Sequence, residues 1–122
     1  AQLIENPDHL GPLAKSFERM GKLVGGRLKE VLDSYARGEV EGLLNVWSHD
    51  DEVDQHYDSL FRELLTYMMG DPRMIAAGAH LLFMAKNLER VGDHATNIAE
   101  MAHYEIAGVE IEGVRPRGED NV

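Results

Sequence analysis

Carboxylates repeating every four residues are the most distinctive polar pattern in this chain of 122 residues. Glu89, Asp93 and Asn97 stand at i, i+4 and i+8, which on a helix puts them on one face, a turn apart. Asp50, Asp54 and Asp58 repeat that spacing upstream. Clustered Asp, Glu and Asn oxygens suit hard cations, so magnesium, calcium, manganese or iron fit better than zinc. Paired carboxylates also serve general acid/base catalysis, yet no substrate-pocket signature accompanies these. No Ser-His-Asp arrangement is visible, and the absence of cysteine excludes thiolate sites, disulfides and cysteine nucleophiles.

Acids at this spacing most often decorate a solvated helix face. Here both rows lie against apolar seams. Leu81, Met84, Leu88, Val91, Ala95, Ile98 and Ala102 form one stripe at alternating three- and four-residue steps. The small residues Ala85, Gly92 and Ala99 beside it would let a neighbouring helix come close. The second seam reads Val40, Leu43, Trp47, Asp50, Asp54, Tyr57, Phe61, Leu64 and Met68, with aspartates at its two central positions. Asp50 and Glu89 lie at similar distances either side of Gly70-Asp71, so antiparallel packing would bring the two rows together. Acids held near a core need a proton, a cation or a metal, and Arg90 is the cationic alternative to a metal.

The histidines read as bland. His94 is expected at the surface or supporting the acid row. His103 completes Glu100-x-x-His103, the spacing used by di-iron bundle oxidases, but those sites require a second copy and none is present.

The elements that position these residues are helical throughout. Asn6-Pro7-Asp8 is a turn signature within a lead-in over residues 1–11, and Pro12 reads as the first-turn proline of helix 1. Leu13, Phe17, Met20, Val24, Leu28, Val31 and Tyr35 mark its apolar face as far as Arg37-Gly38. Gly21, Gly25 and Gly26 suggest a close contact or mild bend, because no strand precedes them as a phosphate loop would require. A second helix is expected over 39–69 and a third over 73–106. Residues 12–107 thus form an all-α, antiparallel three-helix bundle, followed by a polar tail over 108–122. The expected core joins Val40, Leu43, Trp47, Phe61 and Leu64 to Leu81, Met84, Leu88 and Val91.

The formal net charge of −10 disfavours nucleic acid and anionic lipid and favours metal cations or a basic protein partner. Hydrophobic residues at 43% and charged residues at 28% fit a globular chain. No apolar run approaches a membrane span and no signal pattern opens the chain, so direct membrane insertion is not expected and a cytoplasmic location is.

The run Leu88-Glu89-Arg90-Val91-Gly92-Asp93-His94-Ala95-Thr96-Asn97-Ile98-Ala99-Glu100 resembles the signature of the PhoU family. Asp50-Asp51-Glu52-Val53-Asp54, Tyr57, Leu64-Leu65-Thr66-Tyr67-Met68-Met69 and Asp71-Pro72 match in order, so the likeness covers residues 10–108. Family chains usually carry two three-helix repeats, each with two E(D)xxxD motifs. Asp50-x-x-x-Asp54 and Glu89-x-x-x-Asp93 fit one repeat, the C-terminal one, so the chain reads as a fragment of a longer protein. The resemblance implies a cytoplasmic negative regulator of the phosphate response, without catalytic activity. It would link the phosphate transporter ATPase subunit to a sensor histidine kinase of PhoR type. Iron, zinc, magnesium, manganese or calcium could occupy the acidic motifs, and a homodimer is implied in some members. The alternative is a carboxylate-bridged metalloenzyme of the di-iron helical-bundle type.

Overall fold

The computed structural model describes residues 7–112, with side chains from Gly11 onward. Helix α1 spans Pro7–Arg37, α2 Val40–Ser48, α3 Asp51–Gly70 and α4 Ile75–Ala107, and a single 3-10 turn at Pro72–Met74 precedes α4. No strand occurs among the described residues. The helices form three rods, because α2 and α3 follow one another as a broken descending limb between the ascending α1 and α4. The ends fix these directions: the Tyr35 hydroxyl donates to Glu105, joining the last turns of α1 and α4. The bundle is therefore the expected all-α, antiparallel three-helix arrangement.

Helix α1 starts earlier than the sequence suggested. Pro7, not Pro12, occupies its first turn, and Pro12 sits inside the helix. The fixed φ of proline suits the first helical position, where its missing N–H is not needed. The lead-in expected over 1–11 is thus helical from Pro7, and residues 1–6 lie outside the described residues, as does most of the tail.

The helix expected over 39–69 is broken at His49-Asp50. The His49 ring Nδ1–H donates to the Asn45 carbonyl at 2.8 Å, satisfying an acceptor at the end of α2. Asp51, Glu52 and Asp54 in the first turn of α3 place negative charge at a helix N-terminus, where the dipole favours it. The buried face continues across the break: Leu43, Val46 and Trp47 are buried before it, Asp50 within it, and Val53, Leu60 and Leu64 after it.

The core has two parts. Leu13, Met20, Val24, Val53, Leu60, Leu64 and Ala85 fill one end, and Val31, Leu43, Val46, Ala95, Ala99 and Ala102 the other. Leu43, Trp47 and Leu64 are buried as expected, while Val40, Phe61, Leu81 and Leu88 are half-buried. Met84 and Val91 depart from expectation, at 53% and 39% exposed. The buried face of α4 is centred on small residues instead: Gly78, Ala85, Gly92 and Ala99, flanked by Ala95 and Ala102. A β-carbon built on Gly92 would stand 3.0 Å from Val53 Cγ1, and one on Gly78 2.6 Å from Met68 Sδ. The seven-residue step between these small positions lets α3 lie close along α4, which moves the larger Met84 and Val91 to the flank.

This packing predicts graded truncation costs in urea denaturation. Leu64→Ala should lose about 2–5 kcal/mol, the range for a fully buried leucine. Leu88→Ala should lose less, and Met84→Ala less than about 1 kcal/mol.

Candidate functional site

Helices α3 and α4 run antiparallel in a register that can be followed contact by contact. Met68 meets Gly78, Tyr57 meets Lys86, Val53 meets Gly92, Asp50 meets Thr96 and Trp47 meets Glu100. Each step down the α2–α3 limb is answered by a step up α4, so the two acidic rows lie at the same height along the bundle.

Asp50 is 5% exposed and accepts a hydrogen bond from the Thr96 hydroxyl at 2.6 Å. Asp50 continues the inward spacing of Leu43 and Trp47, and Thr96 follows Gly92 by one turn, close to where the two helices approach. A carboxylate this buried depends on its donors, and hydrogen bonds to charged groups are worth about 1.5–3 kcal/mol. One turn higher, the Trp47 indole N–H donates to Glu100 Oε2 at 2.8 Å. One turn lower, Lys86 Nζ lies 3.0 Å from Glu89 Oε1 and 5.2 Å from the Tyr57 ring centroid. The hydrogen bond from Lys86 to Glu89 holds the ammonium pKa above its ordinary value. On the other side of α3, the half-buried Glu52 accepts from the Arg27 guanidinium of α1.

Of the residues singled out from the sequence, Asp50 is buried, and Asp54, Asp58, Glu89, Asp93 and Asn97 are half-buried. The cation paired with Glu89 is Lys86, one turn back on its own helix, and Arg90, the cationic alternative to a metal read from the sequence, is exposed. Among the described residues no group of three or more His, Cys, Asp or Glu side chains is arranged to hold a metal ion. Glu100 and His103 do not act as a pair either: Glu100 takes Trp47, while His103 Nδ1–H donates to the Val109 carbonyl at 3.0 Å. His94 is exposed. Thr96, Lys86 and Glu100 are the polar partners that the sequence reading left without these roles. Thr96 carried one usable signal, a hydroxyl at i+4 from a helix-contact glycine.

The chain belongs to the PhoU family: residues 17–102 match the model of the PhoU domain. It is 58% identical over 117 residues to the phosphate-specific transport system accessory protein PhoU homolog of Caulobacter vibrioides (strain NA1000 / CB15N), covering 96% of this chain and 51% of that relative. The homolog of Rhizobium meliloti (strain 1021) is 52% identical over 105 residues, 86% of this chain and 44% of the relative. PhoU of Escherichia coli (strain K12) is 38% identical over 97 residues, 80% and 40% respectively. The chain thus spans about half or less of the length of these relatives. No solved structure matches it.

The seam makes a direct prediction. Thr96→Val keeps the shape but removes one donor to Asp50, and should lower the unfolding free energy by about 1.5–3 kcal/mol. Thr96→Ser should retain most of the stability in the same denaturation experiment.

Proposed function

We propose that this chain is one three-helix unit of a regulatory adaptor of phosphate transport, acting by contact and without turnover. Membership of the PhoU family, with relatives named as accessory proteins of the phosphate-specific transport system, is the observation that carries this reading. The adaptor works in the cytoplasm as a negative regulator, joining the transporter's ATPase subunit to a sensor histidine kinase of PhoR type, and pairs with a second copy of itself. The formal charge of −10 supports docking on basic partner surfaces. No helix among the described residues is long and apolar enough to cross a membrane, which is consistent with a partner that meets the transporter at its surface.

Metal binding at the acidic rows belongs to the same proposal. An ion held by Glu89 would have to displace Lys86, and one held by Asp50 would compete with Thr96. Loading should therefore shift the side chains of α3 against α4, and metal analysis of the purified chain before and after chelation measures it directly. Stoichiometric metal that is lost on Asp54→Asn and Glu89→Gln supports the proposal; wild-type protein free of metal after exposure to iron, zinc and manganese opposes it.

For the adaptor role, titration calorimetry against the ATPase subunit and the kinase at low and high salt is the test. Binding should weaken as salt rises, because exposed charges are screened beyond about 8 Å at physiological ionic strength. Failure of the full-length protein to bind either partner would overturn the reading.

A further inference from the structure

At the upper end of α4 the chain builds a cavity of about 460 Å³, walled by Glu100, Met101, Tyr104, Glu110 and Ile111. Gly108 ends the helix with φ at 79°, a left-handed conformation that glycine takes without a steric penalty. The chain then turns back, held by the bond from His103 to the Val109 carbonyl, so that Glu110 and Ile111 come to line the same space as Glu100. We propose that this cavity receives an arginine or lysine side chain from a basic segment of the partner protein.

Three features of the walls select that occupant. Among the described residues the polar wall is anionic, with two carboxylates and no basic side chain, and the last turn of α4 contains no basic residue to offset the negative end of the helix dipole. The Glu100 carboxylate is held in place by the Trp47 indole, so an incoming cation meets a positioned acceptor rather than a freely rotating one. The remaining wall is apolar and aromatic, with Met101 66% and Tyr104 58% exposed. A guanidinium stacks well on a tyrosine face, and its methylene stem packs well on methionine and isoleucine. The volume falls in the usual range for a site that encloses a small ligand group. A second cavity, lined by Glu30, Glu39, Val40, Glu41 and Gly42, carries one more carboxylate but no aromatic side chain among these residues, which makes it a natural control.

This inference rests on the adaptor reading and names where its partner docks. The probe is an acetylated hexapeptide of alternating leucine and arginine, titrated into isotopically labelled chain and followed by amide shifts. Shifts should concentrate between Glu100 and Glu112. Exchanging each arginine for neutral citrulline, or combining Glu100→Gln with Glu110→Gln, should weaken binding at least about tenfold, as loss of a charge-assisted hydrogen bond does. Tyr104→Ala should weaken it severalfold, whereas Glu39→Gln with Glu41→Gln, which removes the same charge elsewhere, should leave it within about twofold. Equal losses from both glutamine pairs would reduce the effect to diffuse attraction and overturn the inference, as would shifts spread over the whole surface. Loss of partner binding with the peptide site intact would instead count against the adaptor reading alone.

Discussion

The contact between Val53 and Gly92 sets the geometry on which the rest of the bundle depends. A β-carbon at Gly92 would come within 3.0 and 3.2 Å of the two Val53 methyl groups, so the helices are as close there as a glycine allows. Valine is branched at Cβ and stiff about its first side-chain torsion, so it cannot swing aside as a methionine would. From this point the register is carried both ways along α4. Thr96 falls opposite Asp50 and Glu100 opposite Trp47 on one side, and Lys86 falls opposite Tyr57 on the other. The polar bonds follow from the packing, and they in turn satisfy groups that the packing has removed from water.

The same constraint explains why acids can occupy a seam at all. A buried carboxylate is costly without donors, and α4 supplies one for Asp50 from a side chain that the close contact has already brought within reach. Glu89, nearer the surface, is matched by Lys86 from its own helix, a pairing worth up to about 1 kcal/mol at such a site. The acidic rows are thus graded from a buried hydrogen-bonded end to an outer ion-paired end. Any cation that enters must compete with partners of very different strength along that gradient.

Much of the fold was legible because helical periodicity is strong over long segments. The three rods, the turn at Gly70-Asp71-Pro72 and the importance of Ala85, Gly92 and Ala99 could all be read from spacing. What failed was the centre of the buried face of α4. The three- and four-residue spacing of apolar residues selected Met84 and Val91, whereas the helix buries the adjacent stripe of small residues and sets those two at the flank. The break at His49-Asp50 was also hidden, since Asp50 and Asp54 continue the seam's spacing across it and no glycine or proline marks it. The pairing of Glu89 with Lys86 was not legible, because Lys86 and Arg90 both lie within one turn of it in the sequence. The spacing of Thr96 from Gly92 marks it as near the helix contact, but a threonine in a helix carries no sign of which carboxylate will face it.

A double-mutant cycle between Gly92→Ala and Val53→Ala tests the central constraint most directly. In the wild-type background, the crowding introduced by Gly92→Ala costs about 1–3 kcal/mol, against a helix-propensity gain of about 1 kcal/mol. The net effect should be neutral to destabilising. With Val53 truncated, the crowding disappears while the propensity gain remains, so the same substitution should become stabilising. An identical effect of Gly92→Ala in both backgrounds would show that the two helices are not held at this contact, and would contradict the account.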